Sequence, residues 1–375
     1  MNIVIVGHVD HGKSTLMGRL LADTDSLPEG KLEQVKETCR RNSKPFEYAF
    51  LLDALKDEQL QGITIDTARC FFKTEKRDYI ILDAPGHIEF LKNMITGASR
   101  AEAALLMIDA KEGVQENSRR HAYMLSMLGI KQIAVVINKM DLVDYDEAVY
   151  ERVKEEYIEF LKQISITPKF VLPVSSFAGE NIVKKSDKMP WYDGMCVLEV
   201  LDAFESEGDK ENQTFRMPVQ DVYKFTRNGD DRRIIAGTIE SGTIRAGQEV
   251  VFYPSGKRSH VKNIEVFHAP AIEVAVPNMA IGFTMEEQIY ITRGELMSVA
   301  GEKPPQTASR ITANIFWLGK NDLVSGKTYY LKIGSDKVKA ELECVKGVIN
   351  SSNLSATQEK TSVGRNEVAE CVIRT

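Results

Sequence analysis

Cysteine is scarce in this chain and poorly arranged for chemistry. The five cysteines among 375 residues, Cys39, Cys70, Cys196, Cys344 and Cys371, are odd in number, scattered and never spaced as CxxC. Neither a disulfide framework nor a thiolate zinc site is indicated, and a reducing cytoplasm is the expected compartment. Long hydrophobic runs are missing too, since no segment approaches the ~18 apolar residues of a membrane-spanning helix. The apolar start, Met1-Asn-Ile-Val-Ile-Val, reaches Gly7 after six residues and has no basic flank, so it does not read as a secretion signal. No excess of positive charge exists either: 48 Lys and Arg stand against 54 Asp and Glu, for a net charge of -6. No global field therefore advertises a nucleic-acid partner. Repeats and low-complexity tracts are absent. What remains is ordinary globular material, 43% hydrophobic and 27% charged, long enough for two or three domains at ~100–200 residues each.

Hydrophobic periodicity divides the chain. Up to about residue 205, short β-branched apolar runs (Ile3–Val6, Tyr79–Leu82, Ala104–Ile108, Ile133–Ile137, Phe170–Val174) alternate with helical periods such as Asn117–Leu128 and Ala148–Leu161. Such alternation predicts βαβ units around a mostly parallel sheet. Residues 206–214 have linker composition. From 215 to 303 short strands closed by turns, such as Ser241-Gly242 and Pro254-Ser-Gly256, predict a β-barrel. Gly301-Glu-Lys-Pro-Pro305 ends it, and a second β-rich stretch occupies 308–375. That stretch is short for an independent domain.

The chemistry concentrates in the first region. Gly7-His8-Val9-Asp10-His11-Gly12-Lys13-Ser14 follows a predicted strand and precedes a helical stretch beginning at Thr15, the context in which GxxxxGK[ST] forms a phosphate-binding loop. The glycines let backbone N–H groups face phosphates, Lys13 supplies a cation for the β- and γ-phosphates, and the Ser14 hydroxyl suits Mg²⁺. Asp83-Ala-Pro-Gly86-His87 follows the strand Tyr79–Leu82. Asp83 is expected to hold Mg²⁺ through water, Gly86 to present its N–H to the γ-phosphate, and His87 to orient the attacking water. Upstream, Thr64 in Gln61-Gly-Ile-Thr64-Ile-Asp66 can complete the Mg²⁺ shell, and the preceding stretch would then be a mobile switch. The catalytic set read here is therefore Lys13, Thr64 and His87, and the metal set Ser14, Thr64 and Asp83. Base identity is read from Asn138-Lys139-Met-Asp141. The Asp141 carboxylate can accept from guanine N1–H and N2–H₂, Lys139 covers the ring, and Asn138 braces the loop. Ser175, Ser176 and Phe177 would close the pocket, with a backbone N–H to guanine O6. The expected nucleotide is GTP, with Mg²⁺.

Taken together, Gly7–Ser14, Gly62-Ile-Thr-Ile-Asp66, Asp83–His87, Asn93-Met-Ile-Thr-Gly97-Ala98 and Asn138–Asp141 resemble the translation-factor GTPases of the elongation factor Tu type. The resemblance covers the whole chain and implies a GTPase domain followed by two β-barrels, the last incomplete at Thr375. Several further stretches resemble the large, GTP-binding subunit of the two-subunit bacterial ATP sulfurylase. These are Leu51-Leu-Asp-Ala-Leu, Arg119-Arg-His121, Met189-Pro-Trp-Tyr-Asp-Gly194, Pro254–Ile264, Ile289–Gly294, Trp317 and Leu323–Ile333. The tetrapeptide His8-Val-Asp-His11 departs from the sulfurylase pattern, which more often carries a second acidic residue there, and Asp83-Ala-Pro leans toward the elongation factors. Resemblance to the sulfurylase subunit implies that GTP hydrolysis here drives synthesis of adenylyl sulfate from ATP and sulfate on a smaller catalytic partner subunit. It implies no membrane and no nucleic-acid partner, and a fused version with an adenylyl-sulfate kinase domain is not expected from these residues. The alternative implied by the elongation factors is a GTPase that carries aminoacyl-tRNA.

Other residues read more plainly. His260 and His268 have no ligand-spaced Cys, Asp or His. Lys257 and Arg258 fit a solvated hairpin tip, or contact with nucleic acid or an acidic partner. The segment 154–162 reads as an amphipathic helix packed on the sheet. Trp191 and Tyr192 are expected to pack the junction between the GTPase domain and the first barrel, or to touch a partner.

Overall fold

A computed structural model describes residues 1–52, 68–83, 95, 98, 101–205, 210–224, 232–266, 269–350, 356–357, 360–365 and 367–375. The chain divides into two compact units, Met1–Ser206 and Glu207–Asn350 with Ser355–Thr375.

In the first unit, β1 (Asn2–Gly7) leads through a loop into α1 (Lys13–Asp23), followed by α2 (Lys31–Arg41) and a 3₁₀ turn at Tyr48–Leu51. Then come β2 (Ala68–Lys73), β3 (Asp78–Asp83), β4 (Ala103–Asp109), α3 (Glu116–Met127), β5 (Gln132–Asn138), α4 (Glu147–Gln163), β6 (Phe170–Pro173) and α5 (Val197–Ala203). The sheet order is β2-β3-β1-β4-β5-β6, with β2 antiparallel to β3 and the other neighbours parallel. The β-branched run Ile3-Val-Ile-Val6 is wholly buried, as is every residue of β4, the signature of strands covered on both faces. Each such Val or Ile contributes about 1.5–3 kcal/mol by leaving water. Helix α1 lays Leu16, Met17, Leu20 and Leu21 on this sheet, and α4 buries Tyr150, Val153, Tyr157, Phe160 and Leu161. The segment 154–162 thus lies in an amphipathic packing helix. The stretch preceding Thr64, expected as a mobile switch, contains the regular helix α2.

In the second unit, β7 (Met217–Lys224), β8 (Arg233–Thr238), β10 (Glu249–Tyr253), β11 (Lys257–Glu265), β13 (Ala280–Met285) and β14 (Leu296–Val299) close an antiparallel barrel in the order β10-β11-β13-β8-β7-β14. The small pair β9 (Ile244–Arg245) and β12 (Val274–Ala275) accompanies it. Phe215, Phe252, Phe283, Val261 and Met297 fill the interior. Lys257 and Arg258 open β11 directly after the hairpin turn, where the Lys257 ammonium donates to the Tyr290 carbonyl and the exposed Arg258 pairs with Glu249 at 3.3 Å.

The final stretch forms an open antiparallel sheet, β15-β21-β18-β17, from β15 (Arg310–Phe316), β17 (Thr328–Ile333), β18 (Asp336–Asn350) and β21 (Glu367–Arg374). The short β16 (Leu323–Val324) pairs with β20 (Ser362–Val363), and β19 (Ala356–Thr357) with β18. Leu323, Leu342, Val348, Val363 and Cys371 make its core.

Candidate functional site

Strand register sets the site. Gly7 lies opposite Met107, Asp109 opposite Asn138, and Ile137 opposite Pro173, so the C-terminal ends of β1, β4, β5 and β6 meet along one edge. The backbone of Asp83 falls beside Ile5 on the same edge. Open parallel sheets bind ligands outside such ends, where the connecting loops part.

The loop from Gly7 to Gly12 fills that edge. Gly12 has φ 86° and caps α1. A Cβ on Gly12 would lie 2.4 Å from the Asn138 amide nitrogen, so only glycine allows this approach. Lys13, Ser14 and Thr15 form the first turn of α1, where unpaired N–H groups and the helix dipole favour an anion. The Lys13 ammonium is buried and bonds the carbonyls of Gly7 (3.0 Å) and His8 (2.8 Å), which holds the cation along the loop. Val9 is half-buried, and Asp10 is exposed with φ 63°.

Asn138 joins this loop to the next one. Its amide donates to the His11 carbonyl (2.8 Å), and its oxygen accepts from the Ser176 N–H (2.9 Å) and hydroxyl (2.8 Å). Lys139, at φ 62°, places its ammonium 2.8 Å from the buried Asp109 carboxylate. Asp109 also accepts from the N–H groups of Lys111 and Glu112. Burial alone would raise the Asp109 carboxyl, but the Lys139 bond and the two N–H groups outweigh it and hold it below the usual range. The Ser175 hydroxyl donates to Asp141 and accepts from the Ala178 N–H. Phe177 is 70% exposed beside it.

Imidazoles gather behind the loop. The rings of His8 and His11 meet edge to face at 5.2 Å. His11 Nδ1 bonds the Met107 carbonyl at 3.1 Å, whereas its Nε2 lies 3.4 Å from Glu112 without hydrogen-bond geometry. His121 of α3 is buried, with Nδ1 unpartnered. Burial first, then neighbouring His8 and Lys13 against the opposing Met107 carbonyl, pushes His11 down to about 4. Burial, Lys13, His8, His11 and Arg120 push His121 down to about 3. Among the described residues no His, Cys, Asp or Glu group is arranged to hold a metal by itself.

The structure brings together Gly7 through Thr15, Asn138, Lys139, Asp141, Ser175, Ser176 and Phe177. Thr64, Gly86, His87, His268 and the Asp83 side chain lie outside the described residues. His260 is exposed, 4.0 Å from Glu286. Trp191 and Tyr192 pack on Tyr150 of α4, inside the first unit, with ring centroids 5.2 and 6.3 Å away. Sequence reasoning missed Asp109 and His121. A carboxylate ending an all-apolar strand, Leu106-Met-Ile-Asp109, was the available signal for the first.

Residues 1–208 match the elongation factor Tu GTP-binding domain family. The chain is 37% identical over its full length to sulfate adenylyltransferase subunit 1 of Laribacter hongkongensis, covering 77% of that protein. It is 38% identical over 99% of its length to the subunit of the same name from Aeromonas hydrophila, covering 78% of it. Its fold is similar to the Saccharomyces cerevisiae Ski7 GTPase-like domain bound to GTP, with TM-score 0.60 and 16% identity over the whole chain and 89% of that structure. By this whole-length identity and the match of its first unit, the chain is a GTPase of the elongation factor Tu superfamily and belongs to the sulfate adenylyltransferase subunit 1 family.

Proposed function

We propose that this chain couples GTP hydrolysis to the synthesis of adenylyl sulfate from ATP and sulfate on a smaller catalytic partner subunit in the cytoplasm. The observation that carries the reading is the clamp at Asn138, which fixes the phosphate loop and the Ser176 loop to each other. The assignment of the driven reaction rests on relatives named sulfate adenylyltransferase subunit 1.

In this reading Asp141 accepts from guanine N1–H and N2–H₂, Lys139 lies over the ring, and the Ser175–Phe177 loop offers an N–H to O6. The N–H groups of the Gly7–Thr15 stretch and the Lys13 ammonium receive the phosphates. The helix terminus at Gly12 suits the phosphate, and the hydroxyl of Ser14 suits a phosphate-bound Mg²⁺, which prefers hard oxygen ligands. Ser14 and Thr64 would hold that ion directly and Asp83 through water. When bound, Mg²⁺ would neutralise negative charge on the phosphates. Gly86 presents its N–H to the γ-phosphate, and His87 orients the water. That water attacks phosphorus in line as the bond to the bridging oxygen breaks, leaving GDP and phosphate. The chain contributes position and electrostatics rather than a covalent intermediate.

The test mixes the purified chain with the small sulfurylase subunit, ATP, sulfate, Mg²⁺ and pyrophosphatase, with and without GTP. Adenylyl sulfate and released phosphate are both measured. GTP-dependent adenylyl sulfate is the expected result. GTP turnover with no rise in adenylyl sulfate refutes the coupling and makes aminoacyl-tRNA binding the next assay.

A further inference from the structure

Arg19 stands on α1 about two turns beyond the phosphate loop, where three elements converge. Its Nε bonds Asp23 at 2.7 Å along the helix. Its Nη1 donates to the Phe177 carbonyl at 3.3 Å, reaching the loop that holds Asp141 through Ser175. Its guanidinium carbon lies 4.7 Å from the centroid of the Tyr48 ring. Glycine makes both approaches feasible. A Cβ on Gly179 would lie 2.3 Å from the guanidinium, and one on Gly18 would lie 2.0 Å from the Tyr48 carbonyl. The loop itself is a tight turn, with Gly179 and Glu180 donating to the Ser175 carbonyl at 2.8 and 3.0 Å.

We propose that Arg19 is a positioning residue for guanine selectivity: it holds the Ser175–Glu180 loop, and through Ser175 the Asp141 carboxylate, against α1. The inference rests on the guanine-pocket reading above. Arg19 touches neither base nor phosphate in this scheme. The Tyr48 face and the Asp23 carboxylate fix the guanidinium plane, and its fork points one donor at the Phe177 carbonyl. Loosening this anchor leaves the phosphate contacts of the Gly7–Thr15 stretch in place, so the loss falls on base recognition.

The test is binding of fluorescent GDP and IDP analogues to the full chain, since IDP lacks the 2-amino group that Asp141 would receive. In Arg19→Ala, GDP affinity is expected to fall about tenfold, the weight of one charge-assisted hydrogen bond, while IDP affinity falls less than about threefold. KM for GTP should rise with the GDP dissociation constant, and kcat should move less. A fall of equal size for both nucleotides, or no fall, overturns the inference, because a merely structural role lowers stability without narrowing the GDP-to-IDP ratio. A wild-type chain with no GDP preference would overturn the guanine pocket and this inference together. If Arg19→Ala does not fold, Arg19→Lys keeps charge near Asp23 but loses the fork, and Tyr48→Leu removes the ring support. Both should narrow the same ratio, and an unchanged ratio in both overturns the proposal.

Discussion

Asn138 shows how much one buried amide organises. Its three hydrogen bonds tie two loops that stand far apart in sequence, and Gly12 gives way to let it in. The tetrapeptide Asn138-Lys-Met-Asp141 and a bracing role for Asn138 were read from the sequence, but the partners of that brace were not, because the carbonyl it bonds belongs to His11. Asp141 is read as the carboxylate that accepts from the base. Asp141→Asn replaces an acceptor oxygen with a donor that suits the 2-carbonyl of xanthine, while the remaining oxygen still accepts from Ser175. Competition binding should therefore shift preference from GTP toward XTP by about tenfold or more, as for other sites built to read a hydrogen-bond pattern. Retained GTP selectivity would remove Asp141 from that role. Asp109 acts one step further back, holding Lys139 by a bond visible only once β4 and β5 are aligned.

At the scale of elements, the packing of α3 behind the phosphate loop makes this region sensitive to acid. His11 and His121 have their ordinary value of 6.5 in the unfolded chain and fall to about 4 and about 3 when folded. The unfolded chain thus binds protons that the folded chain refuses. Stability is complete above 6.5 and declines as pH falls, by about 1.4 kcal/mol per pH unit for each imidazole until its folded value is reached. The groups facing these rings are Lys13, His8 and Arg120, which oppose protonation, the Met107 carbonyl and Asp109, which favour it, and the Glu112 carboxylate, 3.4 Å from His11 Nε2. Urea unfolding between pH 7 and 5 should show the decline, and His121→Leu should flatten its slope by about one imidazole. An unchanged slope would exclude His121 as a contributor. Five strands of the first unit, β1 and β3 to β6, were legible to within a residue or two, because buried parallel strands are continuous apolar runs, whereas the antiparallel edge strand β2, Ala-Arg-Cys-Phe-Phe-Lys, was not read. Helix α2 was not: Lys-Leu-Glu-Gln-Val-Lys-Glu-Thr-Cys-Arg-Arg buries only Cys39, leaving little apolar period to read.

Across the whole molecule, two units carry separate cores. The first centres on Ile3, Ile5, Leu105, Val136 and Leu172, and the second on the barrel residues around Phe215 and Phe283. The candidate nucleotide residues all belong to the first. Calorimetry with GDP at about 100-fold its dissociation constant should stabilise that unit by about 2.7 kcal/mol, or roughly 5–10 °C, and leave the transition of the second in place. Equal displacement of every transition would show that the units unfold as one. The barrel was anticipated from turn spacing alone, but its order was not, since β14 must cross to pair with both β7 and β10.

Local sequence alone determined the alternation of strands and helices, the glycine-rich loop before α1 and the Asn138–Asp141 tetrapeptide after β5, because each is written in contiguous residues. Tertiary structure alone decided the rest. The Asn138 clamp, the Asp109–Lys139 pair, the buried imidazoles and the Arg19 junction each join residues from different strands or helices. Their contacts exist only after the register of the parallel sheet brings those chain ends to a common edge.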